Sequence, residues 1–126
     1  MVKKRVTGIK FKGNTIKGRI DGKKCFDFIK YSPRVPMVGH YKQKHPVLLI
    51  DKKIKNPMER KALAVHEMTE RCLRYHEGIR KSMAHHVATA QESKFEKQIG
   101  VNDRRYVRNV ERVFRKNYRK GQRRKR

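Results

Sequence analysis

Charge is what limits the choice of fold for this chain. Lys and Arg number 36 against 11 acids, a net +25 in 126 residues, and charge on that scale cannot be taken into a core. It is also unevenly placed. Residues 1–55 hold 16 basic and 3 acidic residues and residues 101–126 hold 12 and 2, whereas residues 56–100 hold only 8 and 6. The nearly neutral middle can therefore be buried on several sides, while each flank must turn one apolar face inward and leave the other in water. At this length one modest core is expected. A field of this sign is not needed by an ordinary soluble enzyme and points to a polyanionic partner, nucleic acid being the common one. No apolar run approaches the roughly 20 residues of a membrane span, and none follows Met1–Arg5 to make a signal peptide. Cys25 and Cys72 lie outside any CxxC spacing and read as two reduced thiols in a cytoplasmic protein.

The basic N-terminal flank reads as short strands. Val6, Ile9 and Phe11 stand among lysines, Gly13-Asn14 marks a turn, and Thr15–Ile20 and Cys25–Ile29 flank Asp21-Gly22, a tight-hairpin dipeptide. The pattern predicts a small antiparallel sheet with one greasy and one cationic face. The lysines serve either as a solvated surface that discourages aggregation or as a phosphate-facing surface. Residues 31–46 are expected to be irregular: Tyr31, Pro33, Pro36, Gly39, His40, Tyr41, His45 and Pro46 alternate with Arg34, Lys42 and Lys44. Rings among amines suit an RNA-contacting loop, and equally a plain long connection. His40 and His45 match no metal-ligand spacing. Val47–Asp51 then makes a compact apolar strand inside the sheet.

Two helices occupy the near-neutral middle. Asn56 is an N-cap, Pro57 fits the first helical position, and Glu59 completes an N-x-x-E capping box, which places a helix from 57 to about Tyr75 with Leu63, Val65, Thr69, Cys72 and Leu73 inward. Ser82 is expected to cap a second helix, whose Ala84, Ala88, Gln91, Phe95 and Ile99 follow a 3.6-residue period to Gly100. The first helix carries His66-Glu67-Met68-Thr69-Glu70. Residues four apart on a helix face the same way, so His66 and Glu70 can share one metal ion with Glu67 beside it as a base. The usual zinc-protease form is HExxH; here the second ligand is a carboxylate. On the second helix His85 and Glu92, seven apart, also share a face, with His86 next to His85. The ligand set expected is His66, Glu70, His85 and Glu92 around one zinc ion. The competing reading takes Glu67–Arg71 and Glu70–Arg74 as i,i+4 pairs on a solvated face.

A third helix, from about Asn102 to Tyr118, is amphipathic. Tyr106, Val110, Val113, Phe114 and Asn117 form its packing stripe. Arg104, Arg105, Arg108, Arg112, Arg115, Lys116 and Arg119 cover the rest, followed by a basic tail with Lys120, Arg123, Arg124, Lys125 and Arg126 that is expected to be disordered when free. These twelve side chains are the candidate nucleic-acid ligands. The layout is one α+β domain over residues 1–118, a small sheet followed by three helices, with a basic tail over 119–126.

From Val47 to about Tyr106 the chain resembles a family of small, largely uncharacterised phage and prokaryotic proteins. The family pattern is a strand ending in Ile-Asp, a helix with HExxE, then A-H-x-x-A-x-x-x-E and a glycine; the matching residues are Ile50-Asp51, His66-Glu67, Glu70, Ala84-His85, Ala88, Glu92 and Gly100. The resemblance implies a stripped-down zincin-like core in which His66, Glu70 and His85 hold a metal, Glu67 is the base and Glu92 a fourth ligand or a partner of a ligand. The basic extensions resemble those of archaeal-type ribosomal proteins. Two functions follow. The one that charge placement favours is a basic RNA-binding protein, ribosome-associated or a structural ribosomal protein, that retains a zincin-like fold with or without its metal. The other is a metal-dependent hydrolase, a peptidase, that its charge brings to nucleic acid. The residues do not distinguish RNA from DNA.

Overall fold

A computed structural model describes residues 5–35, 37–42 and 45–124, and of 119–124 the backbone alone. Five strands, β1 (Val6–Lys12), β2 (Thr15–Ile20), β3 (Lys23–Ser32), β4 (Gly39–Tyr41) and β5 (Val47–Asp51), precede three helices, α1 (Pro57–Tyr75), α2 (Lys81–Ile99) and α3 (Asp103–Arg124). Among the described residues the fold is thus α+β, with the sheet first and the helices after it.

The hairpins form where the turn chemistry puts them. Asp21 and Gly22 both take positive φ, 51° and 80°, as a type I′ turn requires, and β2 meets β3 from Ile20↔Lys23 to Thr15↔Phe28. The strand order is β1-β2-β3-β5-β4, with β3 in the middle. The sheet is mixed: β3 and β5 run parallel, while β1–β2, β2–β3 and β4–β5 are antiparallel. A parallel pair cannot be joined by a tight turn, and residues 33–46 make the crossover. β4 forms inside this stretch, which is therefore not irregular throughout; three residues are too few for alternation to register in a sequence. Pro36, Gln43 and Lys44 lie outside the described residues, as do residues 1–4.

The inner face of the sheet, with Ile16, Ile20, Cys25, Ile29, Leu48 and Ile50, packs in one cluster with Leu63, Val65, Met68 and Cys72 of α1. Cys25 and Cys72 meet in this layer and are disulfide-bonded, their Cα atoms 6.3 Å apart. The expectation of two separate reduced thiols is overturned: 47 residues apart in sequence, they are brought together when the sheet closes on the helix. Asn56 caps α1 as expected, its side chain accepting from the N–H groups of Met58 and Glu59. Glu59 does not close the capping box; its carboxylate instead accepts from Asn109 Nδ2 at 3.0 Å and pairs with Arg105 at 3.7 Å, tying α1 to α3. The second helix starts at Lys81, one residue before the expected Ser82 cap, with no side-chain cap on Arg80, and ends on left-handed Gly100. Ala84 and Ala88 are fully buried where α2 crosses α1.

α3 lies over the other helices on Tyr106, Val113 and Asn117, with Val110 half-buried. Asn117 Nδ2 donates to the Val35 carbonyl at 3.0 Å and to Asp51 Oδ2 at 2.8 Å, fastening the helix to the end of β5. These hydrogen bonds and the backbone N–H groups of Lys53 and Val35 outweigh burial and hold the Asp51 carboxyl below its ordinary pKa. Two expectations change here. Phe114 is exposed, stacked on Tyr118 with ring centres 6.4 Å apart, and so leaves the packing stripe. The helix also continues to Arg124 where a disordered tail was expected from Lys120; apart from Gly121, this run consists of residues with good helix propensity. Lys125 and Arg126 lie outside the described residues.

Candidate functional site

α1 is buried without interruption from Ala62 to Leu73, held between the sheet and α2. Such a helix is normally apolar all round. This one takes His66, Glu67, Glu70 and Arg71 inside with it, and buried charges require partners. Arg71 finds one in the sheet layer: Nε and Nη2 reach the two carboxylate oxygens of Asp27 at 2.7 and 3.1 Å. Glu67–Arg71 is therefore not a solvated ion pair. Nor is Glu70–Arg74, since Arg74 donates to the Tyr41 hydroxyl and stacks over Tyr75, 5.0 Å from the ring centre.

His66, Glu67 and Glu70 open instead into a cavity of about 1010 Å³ between α1, α2, α3 and β4, with His85, Glu92 and Tyr106 on its far side. Of the four ligands expected, His66, Glu70 and His85 come together as one group, and Glu92 does not join it as a ligand. His66 Nδ1 lies 3.0 Å from Glu92 Oε1, and His85 Nδ1 lies 3.1 Å from Glu70 Oε1. The two imidazoles meet edge to face, ring centres 4.9 Å apart. One ligand atom each from His66, Glu70 and His85 lie within 4.8 Å of one another. Ligands around a tetrahedral zinc stand about 3.4 Å apart, and the His85 side chain, 62% exposed, is free to rotate through the difference. Glu92 stands apart from this trio. One of its oxygens takes His66 Nδ1 and the other accepts from the Tyr106 hydroxyl, so Glu92 orients His66 and leaves Nε2 for a further partner.

The electrostatics favour a cation. Burial lowers the His66 pKa, but the hydrogen bond that His66 donates to Glu92 and the charges of Glu67, Glu92 and Glu70 outweigh it and hold the imidazole above its ordinary value. Burial, with Glu70 and Glu92 adding to it and His66 opposing, pushes the Glu67 carboxyl up to about 7. Three carboxylates, Glu67, Glu70 and Glu92, line one cleft, and their mutual repulsion is relieved either by protonation of His66 and Glu67 or by a bound cation. Among the described residues the Glu67 carboxylate takes no hydrogen bond. It lies against Gly39 at the start of β4, where a Cβ would come within 3.0 Å of its Oε1 and would require the carboxylate to shift. Met37 and Val38 just before it hold positive φ, 58° and 69°, an unfavourable conformation for a β-branched residue and a mark of functional segments.

Of the nucleic-acid candidates, Arg104, Arg105, Arg108, Arg112, Arg115 and Lys116 are exposed along α3, away from the cavity, and Arg119, Lys120, Arg123 and Arg124 continue the same helix. His40 is exposed, stacked on Tyr41 at the cavity rim, outside the ligand trio. Periodicity and motif spacing did not single out Tyr106, Gly39, Tyr41 or Arg74 for this site. Tyr106 was legible as a buried position, but a hydroxyl reaching across to α2 leaves no trace in periodicity, and β4 was too short to be seen. A second group, Cys25, Asp27 and Cys72, has metal-ligand chemistry; its sulfurs are bonded to each other and its carboxylate to Arg71, which leaves no donor for an ion. No family model, no curated protein and no solved structure matches the chain.

Proposed function

We propose that the protein is a metal-dependent hydrolase of peptidase type that works while bound to nucleic acid. The observation that carries this reading is the meeting of His66, Glu70 and His85 beside the buried, unbonded carboxylate of Glu67. These three residues would hold one zinc ion, which when bound polarises a carbonyl and acidifies water. Glu67 is the group placed to accept the proton of an attacking water. Glu92 holds the His66 ring at Nδ1, and Tyr106 holds Glu92. β4 ends the sheet order and lines the cavity with Gly39, His40 and Tyr41; its outer edge suits an extended peptide added as a further strand, which is why peptides are favoured over other substrates. The test is metal analysis of the purified protein after chelation and reloading. One zinc per chain is expected, lost in His66→Ala and in Glu70→Ala; full retention in both variants would remove the site.

The nucleic-acid half of the reading is supported by charge placement, since +23 of the net +25 lies outside residues 56–100. The same fact favours a second reading, a protein bound to rRNA in the ribosome whose metal site has no turnover. Both place the chain in the cytoplasm, where a disulfide is unusual; Cys25 and Cys72 are buried between the sheet and α1, which slows attack by a reductant. Among the described residues, no helix is long and apolar enough to cross a membrane. Arginine bonds phosphate bidentately, and α3 leaves Arg104, Arg105, Arg108, Arg112 and Arg115 exposed and outside the cavity lining. Deleting residues 119–126 should weaken RNA or ribosome binding and lower the salt slope by roughly 0.7–0.9 per phosphate no longer neutralised, with metal content unchanged. Binding with unchanged affinity and slope would move the anchor to the N-terminal sheet.

A further inference from the structure

The outer face of the sheet has an arrangement that the metal site does not use. Along β3 the odd positions Cys25, Asp27 and Ile29 are buried against α1, so Phe26 and Phe28 point the opposite way. They are 38% and 49% exposed and pack edge to face with ring centres 4.8 Å apart. Because β3 is the middle strand, the pair stands at the centre of the sheet rather than at an edge. Register places Lys17 beside Phe26, Thr15 beside Phe28, and Lys10 beyond Lys17. Lys24 and Lys30 continue the same face of β3 at either end. The acids within the five strands are Asp27, which faces α1, and Asp51, and both are fully buried.

From this we infer that the outer sheet face binds single-stranded nucleic acid, with bases stacking on Phe26 and Phe28 and the backbone running over the lysines. Scattered exposed apolar side chains are ordinary. Two adjacent phenylalanines flanked by Lys17, Lys24 and Lys30, with Thr15 and half-buried Val47 beside Phe28, are not, because this cationic surround repels the basic surfaces of other copies and attracts polyanions. Among polyanions, rings add affinity only for those with unstacked bases. A duplex keeps its bases stacked and would meet the lysines alone. The inference rests on the nucleic-acid half of the proposed function and not on the metal.

The test uses the full chain and fluorescent oligo(U), oligo(dT) and a duplex of equal length; the two single strands separate an RNA from a DNA ligand, and tight binding of either supports the platform. Phe26→Ala and Phe28→Ala should each weaken single-strand binding by roughly 5- to 150-fold, the worth of one stacked base, and leave duplex binding and the salt slope as they were. Lys17→Gln with Lys24→Gln should lower the salt slope by about 0.7 for each phosphate that the lysines neutralise in the parent protein. The chain has no tryptophan, so Phe28→Trp, which keeps the stacking surface, introduces a single reporter whose emission should be quenched by oligo(U) or oligo(dT) and not by inorganic polyphosphate. Alanine variants that bind single strands as tightly as the parent, or equal quenching by polyphosphate, would overturn the platform. Single-strand binding abolished by deleting 119–126 but unchanged in the alanine variants would do the same, while leaving nucleic-acid association standing.

Discussion

Glu67→Gln should lower hydrolysis by about 10²- to 10⁴-fold, the usual contribution of a positioned base, while zinc content stays at the parent level. Gln keeps the volume of Glu and its place against Gly39, but an amide does not take a proton from water. The parent rate is itself expected to be low, because Glu70 is an anionic ligand and a zinc held by it is a weaker Lewis acid than one held by neutral imidazoles. Quenched-fluorescent casein with and without added zinc measures the rate, and mass spectrometry of the metal measures occupancy. Zinc-dependent proteolysis that survives Glu67→Gln would sink this assignment. So would a variant that loses its metal, since Glu67 lies outside the ligand trio.

Arg71→Met should destabilise the fold by about 3–5 kcal/mol, the largest effect on stability expected from one side chain here. Arg71 and Asp27 are fully buried and joined by two hydrogen bonds, so removing the guanidinium leaves a carboxylate in the core with no counter-charge. Replacing both partners, Arg71→Met with Asp27→Leu, should restore most of the stability, because two apolar side chains of similar volume need no partner. Urea unfolding followed by circular dichroism compares the midpoints. A single variant within about 1 kcal/mol of the parent would mean that water reaches Asp27. The ion pair also serves the cleft indirectly: it anchors the α1 turn that carries Glu67 and Glu70 to the middle of the sheet.

Local chemistry determined much of this protein. The Asn56-Pro57 start of α1, the Asp21-Gly22 turn, the Gly100 stop and the alternation along β2 and β3 depend on neighbours in sequence, and each formed as read. The spacing of His66 with Glu70, and of His85 with Glu92, is likewise a property of a helix alone. What only the tertiary structure decided is how those pairs meet. Register between α1 and α2 set His66 against Glu92 and His85 against Glu70, crossing the pairs that share a helix, and it made Glu92 a support for His66. The same holds for Cys25 with Cys72, Arg71 with Asp27, and Glu59 with Asn109: each links residues more than 40 apart, and no local period records such a distance. β4 and the parallel β3–β5 pairing depend on where a 14-residue crossover returns to the sheet, which is settled by burial of Val35, Val38 and Tyr41 rather than by any pattern within the crossover. Charge, finally, told which segments must remain in water, but only the pleat of β3 could set Phe26 and Phe28 side by side among the lysines, because it turned Asp27 inward to Arg71.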